Sequence, residues 1–98
     1  MNQVNIGSVR TFPDVNPDKA QALKPLEEAA EVFNEWQRSE GNFNLPIDFQ
    51  RNTNTDLIMS ECADVIQAVC NLAASLGVYD FEPYMQACEQ RNRERGRM

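Results

Sequence analysis

The chain of 98 residues carries a net charge of −6 at pH 7 and is long enough for one domain with a modest core. This acidic balance argues against binding to a nucleic-acid polymer and suits a site that collects cations. The chain has no histidine, which excludes the main ligand of zinc hydrolases and the main base of Ser-His and Cys-His enzymes.

Residues 1–15 are mixed and polar, with few periodic apolar positions. They are predicted to form an extended N-terminal arm that docks through Val9 and Phe12.

The first helix is predicted to start at Asn16, with Pro17 as its first helical residue. Apolar residues then recur at helical spacing to about Arg38. Pro25 lies inside this pattern, and the spacing favours one bent helix over two short ones.

This first helix has two distinct faces. An apolar stripe consists of Leu26, Ala29, Ala30, Phe33 and Trp36, and we expect Trp36 in the core. A polar stripe consists of Lys24, Glu28, Glu31 and Glu35. An acidic stripe on an isolated helix is usually a solvated surface, but here the same spacing of acids recurs on a second helix.

Residues 41–56 are rich in Asn, Thr and Pro and are predicted to form a long loop between helices. The loop also contains the apolar residues Phe43, Leu45, Ile47 and Phe49. We expect these to pack on the core or on a second subunit rather than to form a mobile lid.

The second helix is predicted to begin with Thr55 or Asp56 as its cap and to end at Gly77. Its apolar residues cover a wide arc, which is typical of a central helix contacted on several sides. Glu61 and Asp64 are therefore polar groups in surroundings where polarity must be satisfied.

A third helix is predicted to be capped by Asp80, to carry Pro83 in its first turn and to run through Cys88. It leads into a basic segment, residues 91–98. Such a segment is usually a solvated tail; alternatively, its arginines form a phosphate clamp, and composition alone favours the tail.

The acidic pairs on the first two helices predict a metal site. Residues three apart share a helix face, so Glu28 points with Glu31, and Glu61 with Asp64. Four carboxylates facing one another would repel strongly without a cation among them, and Mg²⁺ or Mn²⁺ suits an all-oxygen cage.

The three cysteines are odd in number and form no CxxC pair, which predicts half-buried, reduced thiols. No run of about 18 apolar residues is present, and the N-terminus lacks a signal pattern. We expect a soluble, cytoplasmic protein without a membrane partner.

The two-part pattern Glu27-Glu28-x-x-Glu31 and Glu61-x-x-Asp64 resembles the signature of the MazG-type, all-α nucleoside triphosphate pyrophosphohydrolases. The flanking segments Thr11-Phe12-Pro13, Ala22-Leu23-Lys24 and Asn92 to Met98 are similar to small phage and bacterial members. The separation of Glu31 from Glu61 is at or beyond the long end for this family, and Arg91 stands where a lysine is often found.

The resemblance implies a single all-α domain, a bundle of three to four helices completed by a homodimer or homotetramer. It also implies Mg²⁺-dependent cleavage of the α–β bond of a nucleoside triphosphate, giving a monophosphate and pyrophosphate. By the same resemblance, Glu28, Glu31, Glu61 and Asp64 would be metal ligands, with Glu28 or Glu31 as the general base. The implied substrate-binding residues are Lys24, Glu27, Asn71, Arg91, Asn92 and Arg95.

Two other functions stay open. One is a catalytically weak protein of the same fold that binds a nucleotide or a protein partner. The other is a structural helical dimer whose acids are paired with Arg38, Arg91 or Arg93.

Overall fold

The computed structural model describes residues 2–40 and 54–98, and every regular element in these two segments is a helix. They are α1 (Lys19–Ser39), α2 (Asp56–Ser75) and α3 (Glu82–Glu94). The predicted all-α class is confirmed. Most of the predicted loop at residues 41–56 lies outside the described residues, together with its four apolar side chains.

α1 begins two residues later than the sequence predicted. The Asp18 carboxylate accepts a hydrogen bond from the Gln21 backbone N–H at 2.9 Å, so Asp18 is the N-cap. The prediction of Asn16 as cap and Pro17 as first helical residue was wrong, because Asp18 offers a carboxylate at the right distance. The helix continues through Pro25 as predicted.

α1 turns a largely polar face toward α2. Six residues of α1 are not exposed, and they recur at alternating spacings of four and three: Gln21, Pro25, Glu28, Val32, Glu35 and Ser39. The predicted apolar stripe is on another side, where Leu26 is 69% exposed, Phe33 59% and Trp36 45%. The expectation that Trp36 lies in the core of this chain was therefore wrong.

α2 is the central helix, as its wide apolar arc predicted. No residue from Val65 to Ser75 is exposed. Thr55 occupies the N-cap position without a side-chain capping bond. The helix stops at Gly77, whose φ of +79° is the left-handed conformation that glycine adopts without a Cβ clash.

By length and composition, α2 is also apolar enough to cross a membrane, with a mean hydropathy of 1.4 over its best window. Core helices of soluble proteins meet the same criterion. α2 carries Glu61 and Asp64 in its first half and packs along α1.

α1 and α2 form an antiparallel pair. Glu35, late in α1, lies near Glu61, early in α2, while Gln21 and Asn71 from the opposite ends line one cavity. The buried apolar core within residues 2–40 and 54–98 is small and consists of Ile58, Ala68 and Ala74.

The N-terminal arm lies against α2 without regular structure. Val9 is half-buried and lines an apolar cavity of about 570 Å³ together with Val69 and Ala73. Phe12 docks through its backbone, because its N–H donates to Asn71 while its ring stays 60% exposed. The predicted docking role of Val9 thus fits its side chain, and that of Phe12 fits its main chain.

α3 starts at Glu82, with Phe81 in the N-cap position. The predicted cap Asp80 lies one residue earlier, and its carboxylate accepts the Glu82 backbone N–H at 3.0 Å. α3 continues to Glu94, so the first four residues of the predicted tail are helical. None of its residues is buried, and it packs little against the described parts of α1 and α2.

Candidate metal centre

Three of the four predicted ligands converge where α1 crosses the first half of α2. One carboxylate oxygen from each of Glu28, Glu61 and Asp64 lies within 4.8 Å of the other two. Glu28 and Glu61 are half-buried, and Asp64 is exposed. The convergence follows from the helix register, since Glu28 is on the α2-facing side of α1 and Glu61 and Asp64 are one turn apart.

The fourth predicted ligand, Glu31, stands outside this group of three. Its side chain is exposed, one turn beyond Glu28 on α1. It is nevertheless close enough to act on Glu61 electrostatically. The structure thus brings together a set of three carboxylates with a fourth beside it.

Glu61 holds its proton more tightly than an isolated glutamate does. Partial burial raises the pKa of Glu61 above its ordinary value, because the charged form loses hydration. Nearby carboxylates raise this pKa further, and in decreasing order of effect they are those of Asp64, Glu31, Glu35 and Glu28. A cation would relieve this repulsion and favour the ionised form.

Glu35 is a neighbour of the cluster that the sequence placed only in the polar stripe. It is 7% exposed, and its carboxylate accepts a hydrogen bond from Arg38 Nη1 at 2.9 Å. Arg38 therefore compensates the charge of Glu35. The sequence spacing could have placed Glu35 near the cluster, because Glu35 is seven residues beyond Glu28 and therefore lies on the same helix face.

A cavity of about 350 Å³ opens beside the cluster. Its walls include Glu28 and Asp64 from the cluster, Lys24 from α1, and Phe12 from the arm. Lys24 also forms an ion pair with Glu27, with 3.3 Å between Nζ and Oε2. Two of the predicted substrate-binding residues, Lys24 and Glu27, are therefore paired with each other, and Lys24 lines the same cavity as Glu28 and Asp64.

Asn71 lines this cavity and tethers the arm. It is 4% exposed, and its Oδ1 accepts hydrogen bonds from the Phe12 N–H and from Gln67 Nε2, both at 3.0 Å. Gln67 Nε2 also donates to the Arg10 carbonyl at 3.0 Å. Asn71, a predicted substrate-binding residue, thus lines the cavity, and its side-chain oxygen is engaged in holding Phe12 there.

The structure does not bring the predicted C-terminal residues to the cluster. Arg91, Asn92 and Arg95 belong to α3 and its C-cap, and none of them lines the cavity. Asn92 interacts locally, donating to Cys88 Sγ at 3.6 Å and accepting from Arg97 Nη1 at 3.4 Å.

Comparisons with protein-family models, curated proteins and solved structures returned no match to this chain. What the site can bind is therefore inferred from its own carboxylates, amides and cavity.

The carboxylate set fits a small divalent cation. Two oxygens on opposite sides of Mg²⁺ are about 4.1 Å apart, and adjacent ones are closer. Oxygens that already lie within 4.8 Å of one another need only small side-chain rotations to reach that geometry. Their hard, anionic character also matches Mg²⁺ and Mn²⁺.

Proposed function

We propose that this protein is a Mg²⁺- or Mn²⁺-dependent nucleotide pyrophosphohydrolase that cleaves nucleoside triphosphates into a monophosphate and pyrophosphate. The convergence of Glu28, Glu61 and Asp64 beside a cavity carries the proposal. The resemblance of the acidic pattern to the MazG-type enzymes supplies the reaction class.

In this proposal the three converging carboxylates hold the cation. When bound, the cation neutralises phosphate charge and makes a water molecule more acidic. None of these carboxylates forms an ion pair with another described residue, whereas Glu27, Glu35 and Glu89 do. That difference favours a cation-binding role over the structural alternative in which arginines neutralise the acids.

Glu31 is the best candidate for the general base. The sequence left Glu28 and Glu31 as alternatives, and Glu28 is one of the three converging carboxylates. Glu31 stands beside that group and is exposed, so its carboxylate is free to accept a proton from an attacking water.

The cavity offers groups for the rest of a nucleotide. Lys24 can contact phosphate oxygens, and the exposed ring of Phe12 is a flat apolar surface for a base. The α3 residues Arg91, Asn92 and Arg95 would need to come from another chain or from a movement of α3. Their distance from the cavity favours, as a second candidate, a catalytically weak protein that binds nucleotide.

The test is pyrophosphate release from the common NTPs and dNTPs with Mg²⁺, comparing wild type with Glu61→Gln. Glu94→Gln on exposed α3 is the matched control, because it makes the same chemical change away from the cluster. We expect release by wild type and by the control, but not by Glu61→Gln. Mg²⁺-dependent nucleotide binding without release would point to the second candidate, and equal release by all three would contradict the site.

A further inference from the structure

Two side-chain amides of α2 hold the main chain of the N-terminal arm. Gln67 Nε2 donates to the Arg10 carbonyl, and Asn71 Oδ1 accepts the Phe12 N–H, both at 3.0 Å. Gln67 Nε2 also donates to Asn71 Oδ1 at 3.0 Å, across one turn of the helix. The two amides, which we call the clasp, therefore form one connected hydrogen-bonded unit.

The main chain that the clasp contacts fixes the orientation of each amide. A carbonyl oxygen cannot donate, so Gln67 presents its NH₂ group to Arg10. A backbone N–H cannot accept, so Asn71 presents its oxygen to Phe12. Because each amide makes two hydrogen bonds in the clasp, neither can turn over without losing both.

The clasp also fixes which residue of the arm stands at the cavity beside the acidic cluster. It holds the carbonyl of Arg10 and the N–H of Phe12, the two main-chain groups that flank Thr11. A shift of the arm by one residue would bring Pro13 to Asn71, and proline has no N–H to donate. The aromatic residue of this segment, Phe12, is thus the one in the cavity wall.

Little else within the described residues holds the arm. Of residues 2–15, all but Val9, Thr11 and Val15 are exposed, and Phe12 is itself 60% exposed. The main chain of the arm makes no other hydrogen bond to residues 2–40 or 54–98. We therefore expect loss of the clasp to release Phe12 from the cavity wall.

We infer that Gln67 is a positioning residue of the proposed nucleotide site and acts through Phe12. Gln67 lines the same cavity as Phe12, and its side-chain NH₂ group is engaged in the clasp. By holding the arm, it keeps the ring of Phe12 in place before a nucleotide arrives, which lowers the ordering cost of binding. This inference rests on the proposed function for the identity of the ligand, but it concerns binding and not cleavage.

Nucleotide binding without turnover tests the inference. The probes are the α,β-methylene analogues of the four common NTPs with Mg²⁺, titrated by calorimetry, because these analogues cannot be hydrolysed at the α–β bond. Gln67→Met keeps the length of the side chain but removes its donors, and it should weaken binding of the tightest analogue about tenfold. Helicity, and Mg²⁺ affinity without nucleotide, should stay at their wild-type values. Gln90→Met is the matched control, because it removes an amide that bonds Glu94 on exposed α3, and it should bind like wild type.

A double-mutant cycle tests whether Gln67 acts through Phe12. Phe12→Leu removes the ring but keeps the N–H that the clasp holds, and it should weaken binding by a similar factor. The double variant should bind about as weakly as Phe12→Leu alone, because the position of the arm no longer matters once the ring is gone. In the pyrophosphate-release assay, each single variant should raise KM and leave kcat within about twofold of wild type.

Wild-type binding and an unchanged KM for Gln67→Met would overturn the inference and leave the hydrolase proposal intact. Losses that multiply in the double variant would also overturn it, because Gln67 would then act independently of Phe12. Clasp-dependent binding to a wild type that releases no pyrophosphate would support the inference and reject the hydrolase. No binding of any analogue to wild type would reject both.

Discussion

At the scale of single residues, Glu61 is the most perturbed group of the described chain. Its raised pKa means that the folded state binds a proton more tightly than the unfolded state does. In the absence of metal, ionising Glu61 in the folded protein costs free energy of folding. This cost is absent below the pKa of Glu61 in the unfolded state, grows as the pH rises through its pKa in the folded state, and is constant above that. Without metal, the carboxylate of Glu61 therefore destabilises the protein at neutral pH.

We accordingly expect Glu61→Gln to flatten the pH dependence of stability in EDTA. Urea denaturation at several values between about pH 4 and pH 7 should show wild type losing stability relative to the variant as the pH rises. Added Mg²⁺ should stabilise wild type most at the upper end of this range, because protons compete with the cation. Parallel curves for the two proteins would contradict the assignment of Glu61 to the centre of the cluster.

Glu31 and Glu61 should differ in what their loss does. Glu31 is the proposed base and is not one of the three ligands. Glu31→Gln should therefore lower kcat by about 10²- to 10⁴-fold while leaving Mg²⁺ affinity close to that of wild type. Calorimetry alongside the release assay separates the two effects. If Mg²⁺ affinity falls as much as in Glu61→Gln, Glu31 is a ligand, as the sequence first indicated.

Asn71 connects the arm to the candidate site. Asn71 is almost fully buried. Replacing it with alanine removes the hydrogen-bond acceptor of the Phe12 N–H and one of the two acceptors of Gln67 Nε2. We expect Asn71→Ala to lower the free energy of unfolding by about 1–3 kcal/mol. Amide hydrogen exchange should also accelerate at Phe12. Asn34→Ala, on an exposed side of α1, is the control, and an equal effect there would contradict a specific tether.

At the scale of the helices, Gly77 ends α2 in a left-handed turn. The Val78 N–H donates to the Ala73 carbonyl at 2.8 Å and the Gly77 N–H to the Ala74 carbonyl at 3.0 Å. Gly77→Ala should destabilise the protein by about 1 kcal/mol, because a Cβ disfavours this backbone conformation. Gly96 has a similar φ of +72° at the end of α3. Gly96→Ala should cost less, since that end can fray, and equal losses in thermal denaturation would contradict this explanation.

The helices were predictable from sequence because their signals are local. The caps near Asp18 and Asp80, the stop at Gly77 and the wide apolar arc of α2 depend on residues close together in the chain. The spacing of acids also predicted that Glu28, Glu61 and Asp64 converge. The caps, the glycine stop and the apolar arc required no knowledge of how one helix is rotated against another, whereas the convergence of the acids also depends on the pairing of α1 with α2.

The orientation of α1 could not be predicted in the same way. The rule that an amphipathic helix buries its apolar stripe would turn Leu26 and Phe33 inward, but they are exposed. α1 instead presents Glu28 and Glu35 to α2. The rotation and register of α1 against α2 bring Glu35 close to Glu61 and leave Glu31 outside the three converging carboxylates. Rotation and register both depend on long-range packing.

At the scale of the whole molecule, α1 has a polar side that contacts α2 and a different, apolar side that is exposed. The α1–α2 contact contains the acidic cluster, and the opposite side of α1 carries the stripe. Acids in a helix contact repel each other without a cation, so folding and cation binding should be coupled in this protein. The same coupling would tie its stability to the availability of Mg²⁺ or Mn²⁺.

The most direct measurement is a calorimetric titration of Mg²⁺, and separately Mn²⁺, into wild type, Glu61→Gln and Glu94→Gln at neutral pH. If Glu28, Glu61 and Asp64 form a cation site, wild type and Glu94→Gln bind alike and Glu61→Gln binds at least about tenfold more weakly. Equal binding by all three proteins, or no binding by wild type, would contradict the site on which the proposed activity depends.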